Sequence, residues 1–297
     1  MKSRSLYGCL LLLLNSSCNH LFYFPDSEKY ADPSALNLAY EDIRLESSDG
    51  IWLSGWRLAA KGTPKGTILH FHGNAQNMTA HFFFVVWLVE YGFDVITFDY
   101  RGYGQSEGSI TRAGSIEDAV AFLQYAKKHA QSQTAGNLFL IGQSLGGAIA
   151  TVAAAKEESK AIRGLILDST FASYRGIAKD KLADFWLTWP LQWPLSFLIS
   201  DDLSPEEAIP NLHVPLLFFH SPLDPAVPYR QGQRLYAHAR GDKIWVDVTE
   251  PGHTGAFASE DDSYRQTTLA FLCQHLVPAQ DDCPKQAPQE PTQSKSR

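Results

Sequence analysis

Gly142-Gln143-Ser144-Leu145-Gly146 reads G-x-S-x-G, with the apolar run Leu138-Phe139-Leu140-Ile141 before it and an Ala-rich stretch, 145–155, after it. Chance supplies about 0.1 such patterns in a chain of this length, and the strand–turn–helix context makes it a candidate nucleophile elbow. The chemistry needs a sharp turn that lifts Ser144 Oγ clear of the sheet. It also needs small residues where strand and helix pass closely, and backbone N–H groups that face developing negative charge. A serine hydroxyl is a weak nucleophile and requires a neighbouring base. Of ten histidines, His253 stands out in the loop Pro251-Gly252-His253-Thr254-Gly255, between the last predicted strand and the last predicted helix. His20, His81, His129, His213, His238 and His275 fall on predicted helices or connectors and read as ordinary surface or core residues.

A base of this kind needs a carboxylate that fixes its tautomer and balances its imidazolium. Asp224, in Ser221-Pro222-Leu223-Asp224-Pro225, is preferred because its loop directly precedes the strand and turn that lead to His253. Asp168 also ends an apolar strand and keeps the same chain order, so it stays as the rival. The earlier segment His70-Phe71-His72-Gly73-Asn74-Ala75 ends another strand, where a backbone N–H would join that of Leu145 as a second donor to an oxyanion. His70 and His72 share one side of that strand, but no cluster of Cys, Asp or Glu accompanies them, so no metal is expected.

Strands must position these groups. Apolar runs at 67–71, 93–98, 138–141, 165–167, 215–220 and 244–248 lack period-two alternation, which implies burial on both faces. Helical stretches at 79–91, 115–129, 145–155, 229–240 and 261–276 alternate with them. The expected fold is α/β: a mostly parallel central sheet flanked by helices, with reactive groups beyond the strands' carboxyl ends. Residues 171–212 interrupt this rhythm. Trp186, Trp189 and Trp193 fall there within eight residues, Pro190 and Pro194 interrupt any helix, and the stretch reads as a small helical cap. Its tryptophans either pack an amphipathic insertion or wall an apolar substrate or lipid-facing lid.

The 297 residues are 44% hydrophobic and 19% charged with net charge −7, a core-forming composition without a basic footprint for nucleic acid. Lys2 and Arg4 precede an apolar run, Leu6 to Leu14, of about half the length a bilayer requires. Residues 1–17 are expected to be a signal peptide, 18–38 a connector, 39–277 the main domain, and 278–297 a disordered tail. Ser16-Ser17-Cys18 resembles a bacterial lipoprotein leader, although Asn15 stands where such leaders favour an aliphatic residue. The resemblance implies lipidation of Cys18, membrane attachment and a cell-envelope location, with Asn19 favouring the outer membrane. Secretion or a periplasmic soluble form is the alternative. Cys273 and Cys283 are free to pair in an oxidising compartment or to remain one buried and one tail thiol.

Taken together, HFHGNA at 70–75, FDYRGYGQSEG at 98–108, GQSLGG at 142–147, Asp224-Pro225-Ala226-Val227-Pro228 and PGHTGAF at 251–257 resemble the α/β-hydrolase superfamily. They are similar above all to small bacterial serine-aminopeptidase-like or dienelactone-hydrolase-like (prolyl-oligopeptidase-like) hydrolases. The resemblance implies Ser144 as nucleophile, His253 as base and Asp224 as its carboxylate. It implies Asn74 and Leu145 as oxyanion donors, Ala75 being the neighbouring register, and the Asp99–Gly104 turn with Arg101 as a brace. Ser221 departs from the glycine usual in relatives. The implied activity is hydrolysis of an ester-like bond in a small-molecule acyl substrate without a cofactor. A peptidase or amidase on the same triad and a non-catalytic envelope binding protein are the alternatives.

Overall fold

The computed structural model describes residues 22–157, 161–184, 186–258 and 262–279. Among these residues an eight-stranded sheet forms from β2 (Tyr40–Glu46), β3 (Trp52–Leu58), β4 (Gly66–Phe71), β6 (Phe93–Phe98), β7 (Leu138–Gln143), β8 (Ile162–Asp168), β9 (Leu216–His220) and β10 (Lys243–Asp247). Their spatial order is β10-β9-β8-β7-β4-β6-β3-β2. All pairs from β6 to β10 are parallel, and β2 and β3 join antiparallel at one edge. A separate two-residue ladder pairs β1 (Phe24–Pro25) with β5 (Ala75–Gln76) in parallel. This is the α/β-hydrolase architecture.

The central strands are apolar throughout because alternate residues serve two cores. Leu69, Phe71, Ile96, Phe98 and Leu140 pack into one, with Phe122 of helix α2 (Arg112–Gln133) and Ile149 of helix α3 (Leu145–Lys156). Ile68, Val95, Phe139 and Ile141 pack into the other, with Leu88, Phe257 and Phe271. Helix α1 (Met78–His81) and 3-10 turns at Phe82–Phe84 and Val86–Tyr91 replace the single helix expected over 79–91. The α-helix ends at His81, and Val85, at φ −124° and ψ −12°, separates the two 3-10 turns. Helix α2 starts three residues before Ser115, with Thr111 Oγ1 accepting from Gly114 N–H, while the Asp118 carboxylate accepts from Arg101.

The insertion expected at 171–212 is helical, comprising α4 (Tyr174–Asp184), α5 (Gln192–Ser196) and α6 (Pro205–Ala208). Helices α7 (Tyr229–His238) and α8 (Ser263–Gln274) complete the flanks. Cys273 is disulfide-bonded, to a partner outside the described residues. The assignment of the chain to a membrane is corrected here: among the described residues no helix is long and apolar enough to cross one. The proposed leader, Cys18 and most of the C-terminal tail lie outside the described residues.

Candidate active site

The turn between β7 and α3 carries Ser144 at φ +53° and ψ −116°, a conformation that side chains rarely adopt. Two contacts hold it there. Ser144 N–H donates to the Asp168 carbonyl at 2.8 Å, and the Ser144 carbonyl accepts from Gly147 and Ala148 at the start of α3. A Cβ at Gly146 would collide with the carbonyl oxygens of Phe71 and His72, so helix and neighbouring strand approach as closely as backbone allows. Leu145, the first residue of α3, offers one of the N–H groups a helix leaves unpaired.

Asp224 follows β9. Its Oδ1 accepts from Ala226 N–H at 2.8 Å and Val227 N–H at 2.9 Å, while Oδ2 accepts from His253 Nδ1–H at 2.8 Å. Burial opposes ionisation of Asp224, but the His253 hydrogen bond and these N–H donors outweigh it and hold the carboxyl below its ordinary range. With Nδ1 donating to Asp224, His253 keeps Nε2 as its acceptor. Two neighbours keep the acid loop closed. His220 Nε2–H donates to the Val227 carbonyl at 3.0 Å, and Ser221 Oγ, standing where a glycine was expected, donates to the Glu250 carbonyl at 2.8 Å.

Ser144, Leu145, Asn74 and His253 open onto one cavity of about 830 Å³. The cap contributes Ile177, Leu182, Leu195 and Leu198 to its wall, and residues 22–24, from the stretch read as a connector, contribute Phe22 and Phe24. Lys181 also lines it and donates from Nζ to the Pro225 carbonyl at 3.0 Å, tying α4 to the acid loop. The three tryptophans face solvent instead: Trp186 is 78%, Trp189 60% and Trp193 58% exposed. Lys179 Nζ lies 3.4 Å from the Trp193 ring centroid.

Asp168, the rival acid, is fully buried and has no hydrogen bond to His253; Ser169 Oγ donates to its Oδ1 at 3.2 Å. Burial lifts its carboxyl from 3.8 to about 7, against the opposing influence of His253. A carboxyl whose folded pKa is raised contributes stability fully present below about pH 3.8 and lost as pH climbs through about 7. The substitution Asp168→Asn removes that loss. Compared with the native protein it should gain stability between pH 4 and pH 8, on the order of 4 kcal/mol at most for three pKa units. Urea unfolding at both pH values measures it, and a difference independent of pH would contradict it.

His70 is not a metal ligand in this arrangement. Its Nδ1 meets Thr97 Oγ1 at 3.2 Å and its Nε2 meets Gln143 Oε1 at 3.1 Å, and burial lowers its pKa to about 3, keeping it neutral. Among the described residues no group of three or more metal-ligating side chains forms. In the Asp99–Gly104 turn, expected with Arg101 to brace the oxyanion loop, Arg101 itself forks between Asp118 and Asp49. Tyr100 and Tyr103 of the same turn reach the loop, donating to the carbonyls of His72 at 3.2 Å and Asn74 at 2.8 Å. The sequence reading missed Tyr103, His220, Phe22 and Phe24. The aromatic run Phe22-Tyr23-Phe24, unusual for a connector, was the available signal.

Fold and family define an α/β-hydrolase of the serine-hydrolase type. Residues 62–201 match the family described as serine aminopeptidase, S33, and residues 192–283 match that of TAP-like protein. The uncharacterized protein YfhR of Escherichia coli (strain K12) is 32% identical over 277 residues, 91% of this chain and 92% of its own. The alpha/beta hydrolase domain-containing protein WAV2 of Arabidopsis thaliana is 32% identical over 252 residues, 81% and 80% of the two chains. The chain belongs to the α/β-hydrolase family that contains these proteins. In fold it is similar to the Pyrococcus furiosus esterase Pf2001, with a TM-score of 0.68 at 20% identity, covering 86% of this chain and 98% of that one.

Proposed function

We propose that the protein is a serine hydrolase that cleaves ester-like acyl bonds through Ser144, His253 and Asp224. His253 Nε2 takes the hydroxyl proton as Ser144 Oγ attacks the carbonyl carbon. The resulting oxyanion is met by backbone N–H groups of Leu145 and of Asn74 or its neighbour. Protonated His253 returns the proton to the leaving alcohol, and the acyl-enzyme is released by a water that the same imidazole deprotonates. The observation that carries this reading is the 2.8 Å bond from His253 to Asp224 at the rim of the cavity onto which the strained Ser144 elbow opens.

The cavity favours an ester over a peptide with a free amino terminus. Capture of an α-ammonium calls for a carboxylate in the wall. Among the described residues that line the cavity, no carboxylate appears, and Lys181 supplies the opposite charge. The apolar cap side chains suit an uncharged acyl group. A fluorophosphonate probe followed by a panel of p-nitrophenyl esters and aminoacyl anilides tests the reading. Labelling at Ser144 with esters preferred by about 100-fold or more is the expected result. Preference for the anilides would replace the esterase by a peptidase, and a serine inert to the probe would leave a non-catalytic binding protein.

A further inference from the structure

The short ladder between β1 and β5 ties the chain's early residues to the loop that carries Asn74. Phe24 N–H donates to the Asn74 carbonyl at 2.8 Å, and Tyr103 Oη–H donates to the same oxygen at 2.8 Å. That oxygen therefore has both lone pairs occupied. The segment around Phe24 is itself fastened on each side. Gly104 N–H donates to the Asp26 carbonyl at 2.8 Å. Asn77 Nδ2 donates to Asp26 Oδ1 at 2.8 Å and to the Glu28 carbonyl at 2.7 Å, and Tyr30 N–H reaches Thr79 Oγ1 at 3.0 Å. On the far side of the loop, Met78 N–H donates to Asp99 Oδ1 at 2.7 Å. Gln76 sits at φ +60°, so the loop turns sharply just beyond the pinned peptide.

A loop that offers N–H groups to an oxyanion has one damaging alternative. The pinned carbonyl belongs to the 74–75 peptide, which carries the N–H of Ala75 and adjoins the peptide that carries the N–H of Asn74; if it turned over, its carbonyl would face the cavity and repel the negative charge that the loop's N–H groups are there to accept. We propose that Tyr103 and the backbone of Phe24 are positioning groups that hold this peptide against such a flip, so that residues 22–28 are part of the catalytic apparatus rather than a tether. The proposal rests on the serine-hydrolase reading above. Burial keeps the Tyr103 hydroxyl protonated, raising its pKa above the ordinary tyrosine value, so it remains a donor at every working pH. The Phe24 ring lines the cavity while its N–H holds the loop, which gives one residue a role in both acyl fit and oxyanion geometry.

Tyr103→Phe keeps the ring and removes only the donor. In the full chain it should lower kcat about 5- to 30-fold, the scale of one lost hydrogen bond to a strained peptide, with KM within twofold. Affinity for a trifluoromethyl ketone, which forms a tetrahedral adduct bearing the oxyanion, should fall by the same factor. Phe24→Pro removes the other donor together with the ring, so it should lower kcat and ketone affinity as Tyr103→Phe does and also shift the preferred acyl length. Phe24→Ala keeps the N–H, so it should spare trifluoromethyl ketone affinity and shift the preferred acyl length. Rates are taken per active site titrated with a fluorophosphonate, which removes any unfolded fraction. Unchanged kcat and ketone affinity in Tyr103→Phe and Phe24→Pro overturn the proposal while a labelled native enzyme leaves the hydrolase reading standing. A native protein that the fluorophosphonate fails to label overturns both.

Discussion

Ser144→Ala is expected to abolish ester turnover, by about 10⁴-fold or more, with the fold intact. The magnitude follows from the lining of the cavity: among the described residues it offers no second hydroxyl or thiol beside His253, so the remaining hydrogen-bond donors bind a substrate without forming an acyl ester. The intact fold follows from local geometry. The Ser144 side chain makes no capping hydrogen bond, and its backbone, which carries the strain, is held through N–H and C=O groups that alanine retains. Melting temperature should stay within about 2 °C of the native value, the shift expected for less than about 1 kcal/mol in a domain of this size. Ser144→Gly should go further and stabilise the protein by about 1 kcal/mol, since glycine occupies positive φ freely. Steady-state rates with a p-nitrophenyl ester and a thermal melt check both; turnover surviving in Ser144→Ala would remove Ser144 from the mechanism.

Asp224→Asn tests the other end of the triad and should reduce kcat/KM by about 10³- to 10⁴-fold. Two backbone N–H groups, of Ala226 and Val227, approach Oδ1 and require an acceptor there. An asparagine must therefore present its oxygen to them and its NH₂ to His253 Nδ1. The imidazole then accepts at Nδ1 and carries its proton on Nε2, where it cannot receive one from Ser144. The change is a reversal of tautomer rather than a loss of contact, so Asp224→Ala, which leaves the ring free to choose, should be no worse than Asp224→Asn. The rival carboxylate supplies the control: Asp168→Asn should keep turnover within about tenfold of native. The reverse ranking of these two variants in a fluorophosphonate labelling-rate assay would move the acid role to Asp168.

What the sequence made legible follows a physical pattern. Ser144, Asp224 and His253 each follow a strand of the sheet, and a buried parallel strand announces itself by a run of apolar residues bounded by turn formers. The bracing of the site is carried by single hydrogen bonds between distant segments, which leave no periodic signal. The ladder at Phe24–Pro25 is two residues long, too short for any strand pattern. The Asp99–Gly104 turn was legible as a brace, but not which of its side chains reaches the loop: Arg101 pairs with Asp49 and Asp118, 52 and 17 positions away, and the tyrosines of the turn make the contacts. In the cap, Trp186, Trp189 and Trp193 left open whether they pack the insertion, wall an apolar substrate or face lipid. Leucines took the inward face, and the larger rings were left outside.

The order in which the site's parts occur along the chain has a consequence for biosynthesis. Asp224 lies 80 residues after Ser144 and His253 lies 109 after it, both attached to the half of the sheet that closes last. Translation at about 5–20 residues per second leaves an interval of roughly 5–20 s in which the elbow has been made and its base has not. Under the proposed triad the growing polypeptide would hold, throughout that interval, an alcohol of ordinary reactivity, and hydrolytic power would arrive only after residue 253 has been made.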